Sequence, residues 1–348
     1  MGDLLGIGLS HAPMFQFPDE NMADILRGFL KREFIPAEVR AMDNWPKPMR
    51  AEWGDDEGLA AARAHREVVV EAFRRLRAEL DAFQPDFVLI WGDDQYENFK
   101  EDVVPAFCVY MYDQLDCLPY QASRVINTPR NVWDQPQDKV VPVRGHREAA
   151  GYLARQLILD QFDVAYAYKP HHHHTLAHAF MRTIMYLDYD QRGFPYPIIP
   201  FHVNCYGSDL MNRTEVQETA GDGLPAPPAP TPTRCFNLGR QVARILGDSP
   251  WRAALIGSSS WSHAFLTKKH HGLYPDVEAD RVRLAELQAG RHAEWRNLDL
   301  ATITDAGQHE FLNWICLAGA MADRQAEVLA FAESWIFNSD KVAAIFRS

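Results

Sequence analysis

Apolar and polar positions along this chain follow two rhythms. Leu4 to Ser10 is a short apolar run closed by His11-Ala-Pro, and the proline blocks continuation into a helix, so the run predicts a strand. Further on, Val69, Phe73, Leu76, Leu80 and Phe83 recur at spacings of four and three, with Arg and Glu between them. That is one apolar stripe on a long helix over Leu59 to Phe83, stopped by Pro85. Asp86 to Trp91 then reads as a buried strand ending at Gly92-Asp93-Asp94-Gln95. Strand, long helix, strand is a βαβ unit, expected to be parallel.

The same alternation returns downstream. Ala150 to Asp160 predicts a helix, Val164 to Tyr168 a strand, and Pro197 to Val203 another strand, whose prolines suggest a sheet edge. Phe236 to Leu246 predicts a helix, and Arg252 to Ile256 a strand running into Gly257 to His263. The tail from Glu310 to Arg347 reads as largely helical, and its apolar helices offer a surface for self-association, so a homo-oligomer is expected. Residues 17–57 read as an insertion or lid with one short helix, and about 219–234 as an exposed proline-rich loop. The fold class is α/β: a mixed, largely parallel central sheet covered by helices on both faces, in one domain over 1–348.

Composition narrows the function. A net charge of −12 disfavours a nucleic-acid partner, which needs many phosphate contacts. No apolar run approaches the ~20 residues of a membrane span, and the start lacks a basic signal-peptide region. Five scattered cysteines without CxxC spacing fit reduced thiols, and a cytoplasmic protein is expected. The informative feature is 14 histidines, four of them consecutive at His171 to His174.

Four polar clusters follow predicted strands: His11, Asp93/Asp94, His171 to His174, and His263. Ligands of open α/β sheets bind beyond the carboxyl ends of the strands, so parallel strands would bring these clusters to one edge. Imidazole with carboxylate is a ligand set for divalent iron, zinc or manganese. Any one histidine alone reads better as an ordinary surface or core residue; four groups at four strand ends do not. His270, His271, His292 and His309 are expected at the surface.

As a whole the chain resembles the class III (LigB-type) extradiol ring-cleavage dioxygenases. The likeness runs through Gly6 to Pro13, Phe87 to Asp94, Gly145-His146, Leu157 to Asp163 and the histidine run. It continues through Pro200 to Asn204, Gly257 to His263, Tyr274 to Glu278 and Leu317 to Met321. The resemblance implies a single LigB-like catalytic domain and an iron(II) site, with His11 and Glu278 as ligands. It puts Asp94 where the family has a histidine. His65, on the apolar stripe of the long helix, is the competing ligand. The resemblance further makes His263 the acid–base histidine and His174 a pocket histidine, with His172 and His173 competing in register. His178 either lines the pocket or supports its neighbour, and Asp93 supports Asp94. The implied reaction opens the ring of a catechol- or gallate-type diol with dioxygen. The alternative is a zinc- or manganese-dependent hydrolase or lyase that does not use dioxygen.

Overall fold

The computed structural model describes residues 2–121, 130–208 and 227–347. Its strands are β1 (Leu4–Leu9), β2 (Phe87–Gly92), β3 (Phe107–Tyr110), β4 (Gln114–Cys117), β5 (Val141–Arg144), β6 (Ala165–Ala167), β7 (Ile198–Val203), β8 (Ala253–Ser258), β9 (Ala326–Ala332) and β10 (Lys341–Phe346). Eight form one sheet in the order β6-β3-β7-β2-β8-β1-β10-β9, and β4 pairs with β5. The centre is parallel, with β8 between β1 and β2 and β7 on the far side of β2; β10 extends the sheet antiparallel to β1, and β9 pairs antiparallel with β10. The expected βαβ unit therefore forms, with β8 inserted between its two strands.

Period-two alternation explains why the central strands read as unbroken apolar runs. On β2, Val88 and Ile90 join one core, while Phe87, Leu89 and Trp91 join the other. The first core is covered by α4 (Leu59–Phe83), α6 (His178–Leu187) and the 17–57 segment. That segment carries α1 (Asp24–Leu30), α2 (Ala37–Arg40) and α3 (Lys47–Trp53), three short helices where one was expected. It buries Met22, Leu26, Ile35, Trp45, Met49 and Trp53 in the first core. The second core lies under α5 (Arg147–Leu159), α7 (Pro232–Gly247) and α10 (Phe311–Ala320). Between α7 and α10 run α8 (Val277–Gln288) and α9 (Leu300–Asp305). No helix among the described residues is long and apolar enough to cross a membrane.

Three expectations need correction. β7 is central, not an edge: β3 pairs only with residues 201–203, so the missing N–H of Pro200 falls where that ladder has ended. The tail is helical only through α10; Val328, Phe331, Val342, Ile345 and Phe346 are β-branched or aromatic, and they build β9 and β10. Nor does α10 offer a surface for self-association, since Phe311 to Gly319 are all buried. The first half of the proline-rich loop lies outside the described residues, and α7 begins inside its predicted span, with Pro232 in the first turn and Thr231 capping the backbone N–H of Arg234.

Helices α7 and α10 touch backbone to backbone. A Cβ on Gly239 would lie 1.8 Å from the Cys316 carbonyl oxygen, and one on Gly319 would lie 2.0 Å from that of Phe236. Gly239→Ala is therefore expected to destabilise the protein by an amount at the upper end of ~1–3 kcal/mol, read as a lower denaturation midpoint. An unchanged midpoint would show that the helix pair can spread freely.

Candidate metal centre

Three adjacent parallel strands, β2, β8 and β1, end at one place. His11 follows β1, Asp93 follows β2, and the segment after β8 leads to His263. Two helix starts close the group: His178 is the first residue of α6, and Glu310 caps α10. One donor atom from each of His11, Asp93, His178 and Glu310 lies within 4.8 Å of the others. Nε2 of His11 is 3.3 Å from Oε2 of Glu310 and 3.8 Å from Oδ1 of Asp93, and Nε2 of His178 is 3.7 Å from Oδ2 of Asp93.

Each member is held from behind. Nδ1 of His11 is 2.9 Å from the Ser258 hydroxyl, which also contacts Thr183. With Nδ1 as the donor there, Nε2 presents its lone pair to the cluster. Nδ1 of His178 is 2.7 Å from Glu97, and Asn313 donates to Asp93 at 3.3 Å. Oε1 of Glu310 accepts from Gln95 at 2.9 Å and from the Tyr206 hydroxyl. The inward oxygens, Oδ2 of Asp93 and Oε2 of Glu310, are buried without a hydrogen-bond partner among the described residues.

The electrostatics follow from this crowding. Burial lowers His11 to about 4, so it is neutral and able to ligate. Burial and then the charge of Glu310 push Asp93 well above the carboxylate range. Burial opposes the charge on Glu310 as well, but His263 and His11 beside it bring its carboxyl below the usual value. Two carboxylates facing each other in a buried space with two imidazoles repel one another, and a cation between them would relieve that repulsion. The donor set fits a divalent ion, and these four residues could hold one.

His263 is the fifth member, with Nε2 at 3.4 Å from Oε2 of Glu310 and Nδ1 at 3.2 Å from the Trp261 carbonyl. Burial lowers its pKa.

The structure places several expected site residues elsewhere. Asp94 is buried but turns into the loop, where it accepts from the backbone N–H groups of Glu97 at 2.7 Å and Asn98 at 2.9 Å. Neighbouring residues at a strand end point to opposite sides, so it is Asp93 that faces the cluster. Glu278 sits on α8 with its side chain 73% exposed, paired with Arg281. Asp280 is the buried acid of that turn, because residues two apart on a helix face opposite ways. His65 is buried between the rings of Phe15 and Phe337, away from the group. His174 is exposed, His171 and His172 meet Asp102, and His173 caps Thr175. His292 and His309 are buried, not surface residues. Glu310 was missed as a site residue. Its signal was a lone acid at the head of an otherwise apolar helix, where the helix dipole also favours a negative charge.

His178→Ala is expected to lower metal content and activity together, by at least about 10-fold, whereas His174→Ala leaves both near the parent level. Metal analysis of the two purified variants checks this, and equal loss in both would place the pocket histidine in the run.

Asp280 joins two site segments. It accepts from the Ser262 N–H at 3.0 Å and from Gln308 Nε2 at 2.6 Å, one residue before His263 and two before Glu310. Burial raises it to about 7 and raises its neighbour Asp340 as well. The folded state thus keeps a proton that the unfolded state releases near pH 4, so this contribution to stability falls as pH rises from about 4 to about 7. In Asp280→Asn the amide retains the acceptor and donor without titrating. The stability difference should move in favour of the variant by a few kcal/mol across that window, on the order of 1.4 kcal/mol per unit. Denaturant melts at pH 4.5 and 7.5 test it; a constant difference would mean that Asp280 is ionised in the native state.

An α/β sheet with buried imidazoles and carboxylates at the carboxyl ends of parallel strands defines the class: a protein with a candidate divalent-metal centre. A profile described as the catalytic LigB subunit of aromatic ring-opening dioxygenase matches residues 225–339, which include His263, Asp280 and Glu310. The chain is 26% identical over 196 residues to a 2,3-dihydroxyphenylpropionate/2,3-dihydroxicinnamic acid 1,2-dioxygenase 2 of Pseudomonas putida, covering 56% of this chain and 49% of the relative. It is 23% identical over 190 residues to a gallate dioxygenase of Pseudomonas putida KT2440, covering 54% and 48%. A solved structure of an uncharacterized protein from Escherichia coli K12 aligns over 80% of this chain and 91% of its own, at 11% identity and a TM-score of 0.46. By these matches the chain is similar to the LigB-type (class III) extradiol ring-cleavage dioxygenases. It spans about half the length of the curated relatives it matches.

Proposed function

We propose that this protein is an iron(II)-dependent extradiol dioxygenase that opens the ring of a catechol- or gallate-type diol carrying an acidic substituent. The observation that carries the reading is the pair of unpartnered buried carboxylate oxygens facing the His11 and His178 imidazoles, with His263 alongside. When bound, divalent iron supplies Lewis acidity toward the diol and the redox capacity to use dioxygen. The chain supplies the rest. His263, neutral because it is buried, accepts a phenolic proton at Nε2 while its Nδ1–H stays on the Trp261 carbonyl. Burial of the cluster keeps bulk water from the reacting diol.

Arg182 supports an acidic substrate. It lies one turn after His178 on α6, on the same face, and has no hydrogen-bond or ion-pair partner among the described residues. An unpaired guanidinium beside the cluster suits a carboxylate, and the substrates named in those relatives are acids. The five free buried cysteines fit a reducing compartment such as the cytoplasm.

The test is anaerobic iron loading followed by oxygen uptake with catechol, protocatechuate, gallate and 2,3-dihydroxyphenylpropionate. Uptake is expected, fastest with the carboxylated diols, and no uptake with bound iron would sink the assignment. Zinc or manganese in the purified protein, with turnover indifferent to oxygen, would favour the hydrolase or lyase alternative.

A further inference from the structure

The loops after β2 and before α6 are joined at three levels. Innermost, Glu97 accepts from the backbone N–H of His178 and contacts its Nδ1. Next, the Asn98 amide reaches the Thr175 carbonyl at 3.4 Å. Outermost, Asp102 meets two histidines at once: Nε2 of His171 is 2.7 Å from Oδ2, and Nε2 of His172 is 2.8 Å from Oδ1. The two imidazole rings stand 4.3 Å apart at 68°. All three side chains are partly exposed, at 55%, 33% and 44%.

We propose that Asp102, His171 and His172 form a second, solvent-open site for a borderline divalent cation of the zinc, nickel or copper class. Two imidazoles gain little from sharing one exposed carboxylate in water, where even a full ion pair contributes ~0–1 kcal/mol. A cation between them uses all three groups, and imidazole suits these metals. Bond lengths of about 2.0–2.1 Å around a tetrahedral ion separate ligand atoms by roughly 3.3 Å. The present nitrogen–oxygen spacings therefore need to open by about half an ångström, which exposed side chains permit. The fourth position is left to water. A cation here clips the outer end of the same pair of loops whose inner end holds His178, and it shares no residue with the buried cluster.

The experiment is a zinc titration of metal-stripped protein by equilibrium dialysis, in the parent chain, in H171A/H172A and in H173A/H174A. The expected result is that H171A/H172A binds one zinc fewer per chain than the parent, while H173A/H174A matches the parent. Asp102→Asn should weaken that same zinc by at least about 10-fold. If H171A/H172A binds as much zinc as the parent, or if H173A/H174A loses the same equivalent, the site is overturned. Counts of one for the parent and none for H171A/H172A would still establish the outer site, while counting against zinc at the buried cluster.

Discussion

Glu310→Gln is expected to lower metal affinity at least about 100-fold and, on the proposed function, to abolish ring opening. Oε2 of this residue is buried, without a hydrogen-bond partner among the described residues, and 3.3–3.4 Å from two imidazoles, so it is the anionic donor best placed for a cation. Glutamine keeps the shape, and its amide oxygen can still accept from Gln95 and Tyr206. The variant should fold as well as the parent, because removing one of two facing buried carboxylates relieves repulsion with Asp93. Glu278→Gln is the matched control: that carboxylate lies on the surface with Arg281, and its loss should leave metal content unchanged. Metal analysis and oxygen uptake on the pair decide between the two acids. Retained metal in Glu310→Gln, with loss in Glu278→Gln, would mean that the buried cluster is not the metal site.

His263→Gln is expected to separate binding from chemistry. Turnover should fall about 10²–10⁴-fold, the usual contribution of a positioned acid–base group, while metal content stays at the parent level. The basis is orientation. The Trp261 carbonyl fixes the proton on Nδ1, a bridge to Ser339 and the Ala264 N–H on the Asn338 carbonyl hold the backbone, and Nε2 is left facing the cluster. Glutamine cannot take up a proton at that position. Loss of metal along with activity would instead make His263 a ligand, and full activity would remove it from the reaction.

Much of this architecture was legible in the residues. The stripe of α4 declared its period and its ends, because a helix that covers a sheet repeats its apolar face and stops at proline. The unbroken runs of β1, β2 and β8 signalled strands buried on both faces, and their polar endings marked the edge where ligands bind. β9 and β10 were harder to see. Their five alanines suit a helix locally, and the β-branched and aromatic residues among them, paired with β1 and with each other, override it.

The amino-acid sequence by itself determined the α/β class and marked His11 and His263 as candidates for a site of imidazole with carboxylate. Only the tertiary structure decided which acids and which downstream histidine complete the group: Asp93 over Asp94, His178 over His174, and Glu310 over Glu278. The physical reason is angular. One residue along a strand end reverses a side chain, and a helix turns it by about 100° per residue, so a register uncertain by one or two positions leaves the facing residue undecided. Glu310 stands 299 positions from His11, and folding the sheet brings its carboxylate within 3.3 Å of that imidazole.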